Sequence, residues 1–219
     1  MFLIRLFIRK NKIKSNIQLS QPLHFMNQHQ KKKIIIFASG AGSNAQKIIQ
    51  YFREKNTAEV VLVVCNKPGA GVVEIAKNVN IPVLFIEKNK FNETGYFEEI
   101  KQYQPDLVVL AGFLWKVPPI LIHHFPHQII NIHPALLPAY GGKGMYGSAV
   151  HKAVVAAKEK ESGITIHFVD EKYDHGETIF QAKCFLNENE SPESLAGKIH
   201  QLEHEYFAKT IEKLLIEKA

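Results

Sequence analysis

Arginine, cysteine and long apolar runs are all scarce in this chain of 219 residues, and each scarcity excludes something. Beyond Arg9 the only arginine is Arg53, so a folded body that grips nucleic acid through a cluster of guanidinium groups is not expected. There are two cysteines, Cys65 and Cys184. Both sit in strand-like runs, so they read as buried thiols of a reducing compartment rather than as a disulfide framework or a metal pair. No apolar run approaches the roughly 18 residues that a membrane-crossing helix needs, so no membrane partner is expected. Acid is missing from the first 33 residues, which carry eight basic side chains (Arg5, Arg9, Lys10, Lys12, Lys14, Lys31, Lys32 and Lys33). Subtracting those eight from the net charge of +6 leaves −2 for everything after them. The basicity belongs to the start of the chain, and no nucleic-acid partner is expected for the rest.

The opening stretch MFLIRLFIRKNKIKSNIQLSQPLHF is basic and apolar, but Arg5 and Arg9 break its apolar part too early for a secretory signal. Residues 1–30 are expected to be a basic extension, either disordered or a misassigned start upstream of Met26. The folded body is expected to be a single domain over residues 31–219.

From Lys33 onward strand and helix patterns alternate. Continuous apolar runs at Ile34–Ala38, Val60–Cys65, Val83–Ile86, Leu107–Leu110 and Ile129–Ile132 have the character of strands covered on both faces. Helices are expected at Asn44–Glu54, Val72–Asn78 and Glu93–Tyr103, with a short one near Ile120 and another over Gly147–Lys158. GITIHFVD and TIFQAKCFL, separated by a turn-like EKYDHGE, suggest an antiparallel pair. Ser191 as N-cap and Pro192 at the first helical position open a long closing helix. The fold class expected is α/β: a doubly wound, mostly parallel, Rossmann-like sheet with a C-terminal antiparallel strand pair and a long last helix.

Two loops carry chemistry. SGAGSN, Ser39 to Asn44, joins the first strand to the first helix. Free N–H groups at a helix start attract anions, and glycine lets the backbone approach one. Gly40, Gly42 and Ala45 also satisfy a dinucleotide fingerprint. The second strand, however, ends in Asn66 and Lys67, not in the acid that would hold a ribose. A phosphate monoester on Gly42, Ser43 and Asn44, a dinucleotide, or a plain tight turn all fit the pattern. The other loop follows IINIHPALLP, where Asn131 and His133 alternate about Ile132 and so project to one side at a strand end. An amide and an imidazole held there can stabilise an oxyanion growing on a carbonyl. Asp174, before His175 and Gly176, could be a turn former or could meet His133 and charge it. HQLEH, His200 to His204, matches a zinc-protease pattern, but little chain remains to supply a third ligand.

KIIIFASGAGSN, VCNKPGAGVVEIAKNVNIP, PDLVVLAGFLWKVP, IINIHPALLPAY, GITIHFVDEKYDHGETIFQAK and LEHEYFAKTIEKLL, in that order from Lys33 almost to the C-terminus, resemble the phosphoribosylglycinamide formyltransferase family. The resemblance implies transfer of a formyl group from 10-formyltetrahydrofolate, a cosubstrate and not a tightly bound cofactor, to the amine of glycinamide ribonucleotide in purine synthesis. It needs no metal. It also implies catalytic roles for Asn131, His133 and Asp174. The ribonucleotide phosphate and ribose would be held by Gly42, Ser43 and Asn44 with His200, Gln201, Leu202 and Glu203. The folate would lie on Leu114, Trp115, Lys116 and Val117, with Asn131 and the loop Asp170, Glu171, Lys172, Tyr173 and Asp174 opposite. A cytoplasmic monomer or homodimer acting on small molecules is implied.

Three departures from the family stand out. The AYGGKGMYGSAVHK loop looks long, so no ligand contacts carry over to it. Trp115 and Lys116 stand where Met and Arg are frequent in relatives. With arginine so scarce, Lys88 or Lys90 is expected to replace an arginine aimed at the folate glutamate. Two other activities fit the same core less well. Formyl transfer to initiator methionyl-tRNA calls for a further C-terminal domain and a basic body. Formyltetrahydrofolate hydrolysis usually comes with an extra N-terminal regulatory domain. A non-catalytic nucleotide- or folate-binding module is the third alternative.

Overall fold

The structure is a computed structural model and describes residues 31–217; the expectations for residues 1–30 fall outside them. Seven strands form one sheet: β1 (Lys32–Ala38), β2 (Ala58–Cys65), β3 (Val83–Phe85), β4 (Leu107–Leu110), β5 (Ile129–His133), β6 (Glu161–Phe168) and β7 (Thr178–Phe185). Their order is β3-β2-β1-β4-β5-β6-β7. The first five are parallel; β6 and β7 are antiparallel to their neighbours. Five of the seven residues of β1 and all of β4 are buried, as strands covered on both faces must be.

Helices α1 (Ser43–Lys55), α2 (Gly71–Asn78), α6 (Ser148–Ala156) and α7 (Pro192–Glu217) cover one face. Helices α3 (Lys88–Thr94), α4 (Phe97–Lys101) and α5 (Pro119–His124) cover the other. In α1 the buried residues Ala45, Ile48, Ile49 and Phe52 follow the spacing of a single helical stripe. Ile48, Ile49 and Phe52 each contribute roughly 1.5–3 kcal/mol on burial. Ser191 caps α7 as expected, its Oγ accepting from the Ser194 N–H at 3.0 Å.

The helix expected over Glu93–Tyr103 is instead two, because Gly95 and Tyr96 both adopt left-handed conformations (φ 62° and 54°) that end α3 and start α4. Cys184 differs too. Cys65 is buried, but Cys184 lies half-buried on the edge strand β7.

The chain order reverses between β1, which runs on to β2, and β4, which runs on to β5. The carboxyl ends of these strands open on a crevice, where ligands bind in sheets of this kind. Five turns feed it: Ser39–Asn44 after β1, Ala111–Val117 after β4, the end of β5, Gly142–Gly147 before α6, and Asp170–Asp174 between β6 and β7.

Candidate active site

The crevice is a cleft of about 760 Å³. At one end stands the start of α1. Gly42 occupies its N-cap with φ 83°, and no side chain caps the helix, so first-turn N–H groups are left for a ligand. A Cβ on Gly42 would come within 2.8 Å of the Val72 backbone, which explains glycine there on both conformational and steric grounds. Asn44 Nδ2 donates to Glu203 Oε2 at 2.9 Å. Glu203 is buried, and burial pushes its carboxyl upward against the pull of Asn44 and His200. Asn44 Oδ1 is buried with no partner. His200 and Glu203, three residues apart on α7, both line the cleft.

Leu114 to Val117 form the wall beyond β4. Ser39 ties this wall to the glycine loop: its N–H donates to Gly112 O at 3.1 Å, and its Oγ accepts from the Leu114 N–H at 3.0 Å. The Trp115 ring packs against Phe91 and Phe113, at centroid distances of 6.0 and 6.3 Å. Opposite lie Asp170, Lys172, Tyr173 and Asp174. Lys116 Nζ reaches to 6.0 Å from the Tyr173 ring, so the two walls approach each other there.

Four polar groups meet where β5 joins β6. Asn131 and His167 are direct cross-strand partners, so their side chains share one face. Asn131 Nδ2 lies 3.1 Å from His167 Nε2, and His167 Nδ1 lies 2.7 Å from Phe168 O. A carbonyl only accepts, so Nδ1 carries the proton and Nε2 accepts from the Asn131 amide. This fixes the amide's orientation and leaves its second N–H for a ligand. His133 Nε2 likewise donates to Tyr140 O at 2.8 Å, and its Nδ1 lies 3.6 Å from Asp174 Oδ2. Asp174 Oδ1 lies 3.7 Å from His167 Nε2.

The Asp174 loop is held by sterics and by one strong bond. Gly142 N–H donates to Asp174 Oδ2 at 2.8 Å. At Gly176 a Cβ would overlap the Phe168 carbonyl oxygen. Asp174 itself is left-handed, with φ 54°.

Charge at this junction departs from expectation. A carboxylate beside His133 should favour imidazolium, and Asp174 does push that way. Burial is the larger effect, however, and it lowers the His133 pKa below the ordinary 6.5. His167 is lowered too, again chiefly by burial. Both imidazoles are therefore neutral near pH 7 before a ligand binds.

Of the residues singled out from the sequence, Gly42, Ser43, Asn44, Leu114, Trp115, Lys116, Val117, Asn131, His133, Asp170, Lys172, Tyr173, Asp174, His200 and Glu203 line this one cleft. Three do not. Gln201 is exposed and Leu202 packs against the core, because a helix turns residues between 200 and 203 away from the shared face. Glu171 points outward to His123, 2.9 Å away. Nor do Lys88 and Lys90 reach the cleft: Lys90 pairs with Glu99 at 2.6 Å, and the lysines lining the cleft are Lys67, Lys116, Lys143 and Lys172. The Gly142–Gly147 loop, to which no contacts carried over from the family, lines the cleft too, as do His167 and His151, which no motif marked. For His167 a signal existed in its inward alternation along GITIHFVD, but its partner depends on the β5–β6 register.

The formyl transferase family model matches residues 32–211. A chloroplastic phosphoribosylglycinamide formyltransferase of Arabidopsis thaliana is 40% identical over 192 residues, covering 84% of this chain and 66% of that protein. The Bacillus subtilis phosphoribosylglycinamide formyltransferase is 36% identical over 190 residues, 84% of this chain and 95% of that one. The chain thus spans about two thirds of the chloroplastic relative and nearly all of the bacterial one. The crystal structure of phosphoribosylglycinamide formyltransferase from Bacillus halodurans matches with a TM-score of 0.77 at 37% identity, covering 86% of this chain and 97% of that one. A family match running from β1 into α7 and a bacterial relative at 36% identity over nearly its whole length agree: this chain belongs to the formyl transferase family.

Proposed function

We propose that the protein transfers the formyl group of 10-formyltetrahydrofolate to the amine of glycinamide ribonucleotide. The observation that carries this reading is that Asn131, His133, His167 and Asp174 line a cleft with two unlike ends. One end is a bare helix start suited to a phosphate. The other is a wall of backbone and aromatic groups suited to a flat heterocycle. A reaction between two bound molecules belongs where those ends meet.

The amine nitrogen attacks the formyl carbon, and the carbonyl oxygen becomes an oxyanion. The free N–H of Asn131 faces that charge as it develops, held in place by His167. The attacking amine must lose a proton. Neutral His133 has an open Nδ1 beside Asp174, and an imidazolium formed there would lie between Tyr140 O and the Asp174 carboxylate. The pair therefore takes the proton during attack and returns it to the departing folate nitrogen as the carbon–nitrogen bond breaks. Atoms and charge balance without a further reactant. Membership of the family implies a folate cosubstrate, and both substrates are small molecules. Two free thiols fit a reducing, cytoplasmic setting.

The test is a transfer assay with both substrates, following tetrahydrofolate release and formylglycinamide ribonucleotide. Stoichiometric appearance of both is expected. Release of formate instead would make the protein a hydrolase, and binding without turnover would make it a binding module.

A further inference from the structure

His151 projects from α6 into the same cleft and has no role in the chemistry above. It is 5% exposed, and its Nδ1 is buried without a hydrogen-bond partner. A buried imidazole nitrogen is normally paired, and a lone one in a binding cleft is accounted for when a ligand brings the missing partner. We propose that His151 hydrogen-bonds the ribonucleotide phosphate as an imidazolium, so that each ribonucleotide bound draws a proton with it. This rests on the reading that glycinamide ribonucleotide is the substrate.

The surroundings point to an anion. The bare N-terminus of α1 opens on this cleft, and the only arginine of the described residues, Arg53, is engaged elsewhere, donating to Val79 O at 3.0 Å. A phosphate dianion there draws positive charge, which Lys67, Lys116, Lys143 and Lys172 of the cleft lining also carry; the unpaired Nδ1 is what singles out His151. The groups acting on His151 from neighbouring elements are His200 of α7 and His133 of β5. His200 in turn acts on Glu203 and His204 of α7, and Lys47 of α1 acts on His204. Lys152 lies next to His151 on α6 itself. Without ligand, burial and the two neighbouring histidines push His151 toward the neutral form. A dianion reverses that balance, since an opposite charge at close range favours the protonated ring.

Calorimetric titration of the whole protein with glycinamide ribonucleotide at pH 7.5, in buffers of different ionisation enthalpy, counts the protons taken up. Uptake approaching about one proton per ribonucleotide is expected, and none with glycinamide riboside, which lacks the phosphate. His151→Phe, checked for folding by its melting curve, should abolish the uptake and weaken ribonucleotide binding by roughly tenfold or more. His151→Asn, which keeps a donor near the position of Nδ1, should recover part of the affinity but not the uptake, and it serves if the phenylalanine variant does not fold. Ribonucleotide binding without proton uptake, or uptake that survives either substitution, would overturn the inference while leaving the proposed activity standing. Failure of the unaltered protein to bind the ribonucleotide at all would remove the functional reading, and this inference with it.

Discussion

The parallel strands β1 to β5 and the antiparallel pair β6–β7 border the same cleft but contribute different materials to it. From the parallel side come chiefly backbone groups, the first turn of α1 and the Leu114–Val117 segment, tied together by the Ser39 side-chain hydroxyl. From the antiparallel side come side chains that can move or orient protons, His167 on β6 and Asp174 in the loop leading to β7. Asn131 and His133 stand on β5, the one strand with a parallel neighbour on one side and an antiparallel neighbour on the other. A doubly wound sheet ending at β5 would still offer a place to bind a phosphate. It would lack the group that orients Asn131 and the carboxylate beside His133. On the proposed mechanism binding and chemistry fall to different sides of the cleft, so variants on the two sides should fail in different ways.

The largest effect is expected at the junction. Asn131→Ala removes the N–H proposed to face the oxyanion, and kcat should fall roughly 100- to 1000-fold, as for loss of one such donor elsewhere. The Michaelis constants of both substrates should change little. On the parallel side Asn44→Ala should do the reverse. It removes a group at the phosphate end and leaves Glu203 buried without its amide partner, so KM for the ribonucleotide should rise by about tenfold with kcat nearly unchanged. A loss of folate affinity instead would mean that the two ends of the cleft are assigned the wrong way round.

The smallest effect concerns stability. His133, His151 and His167 all have pKa values pushed below 6.5, in each case chiefly by burial. Above the ordinary histidine range both folded and unfolded chains keep these rings neutral, and they impose no penalty. Below pH 6.5 the unfolded chain binds protons that the folded one refuses, so stability should decline as pH falls toward the lowered folded values. Melting temperature should be flat from pH 7 to 8 and drop toward pH 5.5. His167→Gln should make the drop shallower by up to one proton's worth of slope. An unchanged slope would mean that His167 is not held neutral.

Much of this was legible in the sequence, for local reasons. Apolar runs such as Ile34–Ala38 are unambiguous, because a strand covered on both faces has no polar positions. Asn131 and His133 were readable because they interrupt such a run at its end. What was hidden depends on distance through space. His167 looks like any inward residue of a strand until β6 is set in register against β5, opposite Asn131. The charge on His133 was misjudged because a carboxylate can be seen in the sequence while the cost of burial cannot. Gln201, Leu202 and Glu171 were included as parts of continuous motifs, whereas a helix or a turn presents only some of its residues to a ligand. The break between α3 and α4 came from Tyr96 adopting a backbone conformation that its side chain does not advertise.

Proton handling by the carboxylate that the antiparallel side brings to the His133 ring is the central step of the proposed mechanism. Asp174→Asn keeps the shape of the side chain and removes its charge. Steady-state kinetics with both substrates, on protein shown to melt like the parent, should find kcat reduced by about 100- to 10,000-fold, the range of acid–base contributions, with both Michaelis constants within about threefold. A kcat within about threefold of the parent, well short of that acid–base range, would make Asp174 a turn residue and contradict the mechanism.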